Sequence, residues 1–370
     1  MEDRKAERAA EEQRNAALGQ AGSDVDFTRM IREYRAAHAH TEREHAPPGA
    51  SNIIICVRKR PISAREVAKM DHDAVTCYNP RAIVHDCKHR VDGITKYLSN
   101  QEFVFDHVFG PDEETSDVYE CVARPLVDFV ARGGRATVFA YGQTGSGKTF
   151  TMEGVERSAA RDLFEALPRG ACVDVSFFEI YGGRCQDLLH GRRRLQVRED
   201  GNGEVQIADL EEVPVATAEE LMQLIDEGNS VRTTQKTEAN DTSSRSHAIC
   251  QIVLRARAAA RAAGTGKVLG KMSLVDLAGS ERGTDTKQHN RQLRTESAEI
   301  NKSLLALKEC IRGMANGSSH VPFRASKLTM VGRARRASWC AQLGDEAEAP
   351  FSLSLRCCAT RSCGPTAASR

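Results

Sequence analysis

Residues 136–149 read ATVFAYGQTGSGKT, and no other stretch restricts the fold of this chain as tightly. A β-branched and aromatic run, TVFAY, ends in a glycine-rich turn that closes on Gly147, Lys148 and Thr149. Counted from Gly142, the spacing fits G-x-x-x-x-G-K-[ST], a phosphate-binding loop set between a strand and a helix. Glycine allows the backbone to curl until successive N–H groups face one anion. Gly142, Gln143, Thr144, Gly145, Ser146 and Gly147 are therefore candidate phosphate contacts. Lys148 offers a mobile charge for the outer phosphates and Thr149 a hard oxygen for Mg²⁺. A polar strand-to-helix turn would satisfy the same pattern. The FTM that follows supplies the helix start that the motif requires.

A chain of 370 residues with 40% apolar and 28% charged residues belongs to the soluble globular class and can bury a sizeable core. Its net charge of +1 provides no global field toward nucleic acid or membrane, so any basic binding face is local. No apolar run approaches the ~18 residues of a membrane span. The N-terminal MEDRKAERAAEEQRNAA lacks the apolar core of a signal peptide. The twelve cysteines form no C-x-x-C pair and read as reduced intracellular thiols, with Cys56 and Cys250 as apolar filler in strands.

Four segments follow in order. Residues 1–22 are a mixed-charge tail, either an exposed helix laced with i,i+4 pairs or disordered. Residues 23–50 form a neck and linker. In the neck, Phe27, Met30, Ile31 and Tyr34 make an apolar stripe at helical spacing, and HAPPGAS (45–51) breaks the helix. Over 51–330, short apolar runs (53–57, 173–181, 248–254, 272–277) alternate with helical stretches (117–131, 218–228, 296–315). That succession predicts an α/β sheet covered on both faces, with a nucleotide at the carboxyl end of a central strand. In the last of those helices Ile300, Leu304, Leu307, Ile311 and Met314 fall on one stripe. Residues 331–370 show no clear period and at most one short strand, FSLSL (351–355).

A hydrolysing phosphate loop also needs a carboxylate for the metal and donors that track the γ-phosphate. Asp276 ends the apolar run MSLVD and enters LAGSE, the place of such a carboxylate, with Gly279 spaced to aim its N–H at the γ-phosphate. NDTSSRSH (240–247) offers the hydroxyls of Ser243 and Ser244. Arg245 and Glu281 are opposite charges whose pairing would couple both loops and shut the pocket. Taken singly, each stretch is also an ordinary polar loop. Asn301-Lys302 continues as Ser-Leu, so no guanine-reading Asn-Lys-x-Asp is present, which favours ATP over GTP.

Together, GQTGSGKT (142–149), NDTSSRSH (240–247) and DLAGSE (276–281) resemble the phosphate loop, switch I and switch II of the kinesin motor domain. The resemblance covers roughly residues 52–330. RKRP (58–61) resembles the nucleotide-base motif, through Arg58, Arg60 and Pro61, and Tyr119 the aromatic that stacks on adenine. FFEIY (177–181), EINKSLLALKEC (299–310) and VPFRASKLT (321–329) match further stretches. The resemblance implies a P-loop NTPase fold, a mostly β central sheet with three helices on each face. It implies ATP and Mg²⁺ as cofactors, microtubule-stimulated hydrolysis, and tubulin as partner in the cytoplasmic cytoskeleton, spindle or flagellum. It implies that Asn240, Ser243 and Ser244 sense phosphate and metal, that Asp276 reaches Mg²⁺ through water, and that Arg245 and Glu281 pair to position the attacking water. Asn301 would sit near that water.

Within the family, MIREYR (30–35), RVDGITKYL (90–98), ERGTDT (281–286) and KEC (308–310) resemble the class-thirteen kinesins, which depolymerise microtubules from their ends. This implies tubulin contacts at Arg90, Val91, Asp92, Lys308, Glu309, Cys310, Arg312, Arg324 and Lys327. The family's finger is Lys-Val-Asp; here Arg90 keeps the charge with a different geometry. Two departures stand out. The helix after the phosphate loop lacks its usual interrupting loop. After SKLTM (326–330) the last strand and closing helix are unrecognisable, as in a truncated or frame-shifted end, and their loss would leave sheet N–H and C=O groups unpaired.

Overall fold

The computed structural model describes residues 2–18, 21–45, 53–201, 205–233, 244–256, 266–281, 291–332 and 352–357. They fall into two compact units. One draws on Met1–Ala46 and Cys56–Glu113, the other on Pro47–Ile55 and Glu114–Cys357. All but His45 of the linker expected at 45–51, and most of the tail after Gly332, lie outside the described residues.

In the first unit, α1 (Glu2–Ala17) and α2 (Val25–His38) precede strand β1 (Ile53–Arg58), which runs through the division between the units. A three-stranded antiparallel sheet follows, β2 (Val75–Tyr78), β3 (Arg81–His89) and β4 (Lys96–Val104), and β5 (His107–Phe109) pairs in parallel with β1. Asp24 caps α2 by accepting from the N–H groups of Asp26 and Phe27, which satisfies donors that no helical carbonyl can reach. The stripe expected in this helix is real: Phe27 and Ile31 are buried, with Met30 and Tyr34 partly so. Arg35 of α2 donates to Thr76 and to the carbonyls of Asp73 and Val75, and Lys96 reaches Asp24 and Asp26 at 2.6 and 2.9 Å. The mixed-charge tail is helical and docked, since buried Asn15 donates to Thr28 at 2.7 Å.

The second unit holds the central sheet. Its strands are β6 (Arg135–Tyr141), β7 (Ala171–Tyr181), β8 (Arg184–Asp187), β9 (Arg194–Glu199), β10 (Val205–Ala208), β11 (Val213–Val215), β12 (Ser246–Ala256), β13 (Val268–Asp276) and β14 (Ser352–Cys357). They run β10-β9-β8-β7-β12-β13-β6-β14, with β11 on β7. The long helices are α3 (Arg124–Ala131), α4 (Lys148–Glu165), α5 (Ala218–Thr233) and α6 (Arg291–Ala315). The sheet is mixed: β6 is parallel to β13 and β14, whereas β12 is antiparallel to both β7 and β13. Continuous apolar runs are typical of buried parallel strands, but β7 and β12 are antiparallel neighbours buried on both faces, and burial on both sides produces such runs whichever way neighbours point. On one side of the sheet, Ile300, Leu304 and Leu307 pack against Phe139, Phe178, Ile249 and Val275. Met314, expected on the same stripe, is 37% exposed.

The missing last strand needs correction. Leu353–Arg356 of β14 pair in parallel with Val138–Tyr141 of β6. A place in a sheet requires only backbone donors and acceptors, so an unfamiliar sequence that alternates as FSLSL can take it. Among the described residues no helix follows α7 (Lys327–Val331). The shortened segment after the phosphate loop is an uninterrupted 18-residue helix, α4.

Candidate functional site

The loop between β6 and α4 lies at the carboxyl end of a strand deep in the sheet, flanked by β13. Gly145 and Gly147 have φ of 78° and 90°, and no atom crowds either position. The requirement is thus the left-handed backbone itself, which other residues reach only with strain. Gly147 caps α4 without any side-chain bond, leaving that helix end able to face an anion. The Ser146 hydroxyl is buried with no hydrogen-bond partner, and Lys148, 6% exposed, donates to the Gln143 carbonyl at 3.0 Å. An uncapped helix start, an orphaned hydroxyl and a buried ammonium suit a polyphosphate.

Asp276, at the end of β13, meets this loop. Its Oδ2 accepts from Thr149 Oγ1 and from Arg232 Nη1, each at 2.8 Å, while its Oδ1 is buried and unpartnered. The two residues expected to hold the metal are therefore adjacent, with one carboxylate oxygen uncommitted. Arg232, 2% exposed, also donates to Ser246 Oγ and O at 3.0 and 2.9 Å. Sequence reasoning missed it, because one arginine near a helix end carries no motif. Glu156 of α4 is buried nearby, and its pKa is pushed up to about 8 by desolvation and by the charge of Asp276.

Residues 277–281 are tied one by one to surrounding elements. Leu277 N–H donates to Ala140 O at 3.2 Å, Ala278 N–H to His247 Nδ1 at 3.1 Å and Gly279 N–H to Ser244 O at 2.7 Å. Ser280 N–H then donates to Gly142 O at 3.1 Å, and the Glu281 carboxylate accepts from Thr144 N–H at 3.0 Å and Thr144 Oγ1 at 2.5 Å. The phosphate loop, switch I and switch II sequences thus meet in one place. The expected pairing of Arg245 with Glu281 is not the one adopted. Glu281 is engaged by Thr144, and Arg245 reaches Glu296 of α6 at 3.5 Å. Asn240, Ser243 and residues 282–286 lie outside the described residues.

Other expected contacts divide. Tyr119 is 1% exposed, and its hydroxyl donates to Asp162 at 2.7 Å, so its ring has no open face for a base. The apolar environment of a helix packed on helices outranked the motif. Arg58, Arg60 and Pro61 belong to the first unit, where Arg58 donates to Glu113 O at 3.2 Å. There Arg60 grips Glu66 and holds that carboxyl down at about 2. Cys310 is buried and its thiol pushed up to about 11 by desolvation, so it is no surface contact. On α6, Lys308 lies 5.3 Å over the Tyr141 ring, Arg312 pairs with Glu309 at 2.7 Å, and Asn301 is partly buried. Arg324 pairs with Glu199 at 2.6 Å, and Lys327 donates to Gly183 O at 2.7 Å.

The finger in the first unit is a hairpin tip. Asp92 turns inward on its own loop, accepting from Ile94 N–H, Thr95 N–H and Thr95 Oγ1 at 2.9, 2.8 and 2.5 Å. These bonds lower its pKa, the Thr95 hydroxyl first, and leave Val91 fully exposed at the tip.

A kinesin motor domain profile matches residues 58–334, which spans all three loops of the site. The chain belongs to the kinesin motor family. Members of that family are microtubule-stimulated ATPases. Over 340 residues, the chain is 52% identical to a protein named diatom spindle kinesin-1, from Cylindrotheca fusiformis. The match covers 90% of this chain and 53% of that relative, so this kinesin sequence spans about half the length of the curated protein it matches. Among the described residues no helix is long and apolar enough to cross a membrane.

Proposed function

We propose that this kinesin hydrolyses ATP in the pocket bounded by residues 142–149, Asp276 and residues 277–281, and uses the cycle to shorten microtubules from their ends. The observation that carries the catalytic half is the adjacency of Thr149 and Asp276, whose free Oδ1 fits a metal bound through water. Mg²⁺ held there would neutralise charge on the transferring phosphate. Lys148 and the N–H groups at the start of α4 would bind the phosphates, and Ser244, Asn240 and Ser243 would follow the terminal one.

The depolymerising half rests on the exposed Arg90-Val91-Asp92 hairpin tip and on the α2 neck packed against its own sheet. Tubulin contacts would run through Arg90, Val91, Lys308, Arg312, Arg324 and Lys327, weakening with salt as screening shortens to about 8 Å at physiological ionic strength. A second reading is a motor that translocates along microtubules, and the relative's name, a spindle kinesin, is compatible with either.

Imaging stabilised microtubules with the purified chain and ATP separates the two. Shortening at both ends, abolished by Lys148→Ala, is the expected result. Arg90→Ala with Asp92→Ala should remove shortening and keep ATP affinity. Directed gliding refutes depolymerisation, and ATP-insensitive static decoration refutes both readings.

A further inference from the structure

His247 ends the NDTSSRSH stretch and is 2% exposed, against Ser303 of α6. Its two nitrogens have different partners. The backbone N–H of Ala278 can only donate, so Nδ1, 3.1 Å away, accepts and carries no proton. The proton is then on Nε2, which lies 2.8 Å from Ser303 Oγ. Ser303 in turn donates to the carbonyl of Ile300, one helical turn back, at 2.7 Å. Every donor in this chain has an acceptor, and every link is buried, where an unmade bond costs most. Desolvation and the charges of Arg232 and Lys148 keep the ring neutral, with its pKa lowered to about 3.

Resting on the ATPase reading above, we propose that His247 is a positioning residue. As the neutral Nε2–H tautomer it ties the backbone beside Gly279 to Ser303 of α6, so a shift in one is transmitted to the other. Gly279 N–H donates to Ser244 O at 2.7 Å, so an incoming γ-phosphate must compete for this segment. Displacing Gly279 pulls on its neighbour Ala278, hence on the ring, hence on the helix that carries Lys308 and Arg312. Arg245 and Glu296 make a second tie to the same helix, but at 3.5 Å and on a charge pair that tolerates wider geometry. A cavity of about 260 Å³ borders His247, Ile300 and Ser303, so the helix side of the relay has room to move.

Two kinds of measurement on the whole chain test the relay. Nitrogen-15 spectra of the His247 ring should show only the neutral Nε2–H form between pH 6 and 8; a charged ring or an Nδ1–H form overturns the proposal. Hydrogen exchange with and without a slowly hydrolysed ATP analogue should change at both 276–281 and 300–306. In Ser303→Ala the first change should persist and the second be lost, and Ser303→Thr should restore it. Microtubule-stimulated kcat of Ser303→Ala should fall about tenfold at unchanged basal turnover and microtubule KM, within the usual range of coupling energies. An intact helix response in Ser303→Ala, or a raised KM with unchanged kcat, overturns the relay. Failure of the analogue to bind would refute the ATPase reading instead, and the tautomer would still decide the relay.

Discussion

Glu156 provides a prediction that needs no partner and no nucleotide. It lies in α4, 5% exposed, and its pKa is raised from 4.5 to about 8 by desolvation first and by Asp276 second. The folded protein therefore holds a proton that the unfolded chain releases above pH 4.5. Stability from this group is full below pH 4.5 and is lost as pH rises toward about 8. The slope is about 1.4 kcal/mol per pH unit for one proton, so from pH 6 to 7.5 the loss is about 2 kcal/mol. Glu156→Gln keeps the shape and removes the ionisation. Urea unfolding of the nucleotide-free proteins at the two pH values gives the comparison. The variant should gain about 2 kcal/mol on the parent as pH rises over that interval. His247 has the opposite sign, since its lowered pKa favours folding as pH rises through the imidazole range, but it is common to both proteins and cancels. Parallel stability curves for parent and variant would refute a buried neutral carboxyl at this position.

Two further perturbations follow from particular contacts. A Cβ at Gly279 would lie about 2.5 Å from both Thr144 Oγ1 and Glu281 Oε1, so Gly279→Ala must open the clasp between these residues. ATP turnover should fall at least tenfold with an unchanged circular dichroism spectrum; retained turnover would show the clasp to be dispensable. Lys96→Ala removes the ammonium that joins Asp24 and Asp26 at the start of α2, a loss of about 1–2 kcal/mol for charge-assisted bonds that are partly exposed. Faster proteolytic cleavage within residues 21–38, with the remainder intact, is the expected readout, and unchanged cleavage refutes the anchor.

The parts of the site legible in the sequence were those whose chemistry needs a fixed spacing. Gly145, Gly147, Lys148 and Thr149 are constrained by one short loop, and Asp276 by the end of one strand, so local pattern located them. Arg232, His247, Ser303 and Glu156 act through contacts between elements 14 to 120 residues apart, and nothing within five residues of any of them signals the partner. Tyr119 and Cys310 failed for the converse reason. A motif gives a residue's place along the chain, but burial is decided by what packs over it. The strand Ser352–Cys357 was legible as the short strand FSLSL but not its place in the sheet, since the backbone pairing of β14 with β6 depends on side-chain identity only weakly.

The pairing of Glu281 with Thr144, in place of Arg245, bears on how such a site is controlled. Thr144 is inside the phosphate loop, and its N–H is one of the donors that an anion would recruit. A carboxylate on that N–H occupies an anion position with a charge of its own. Phosphate and Glu281 then compete for Thr144, just as phosphate and Ser244 O compete for Gly279 N–H. Both competitions act on the same segment, residues 279–281, and a Glu281 freed from Thr144 would be a second carboxylate open to Arg245, which now pairs with Glu296. The bond given up is charge-assisted at Thr144 and neutral at Gly279, each worth about 0.5–3 kcal/mol, which a nucleotide's differential affinity can supply.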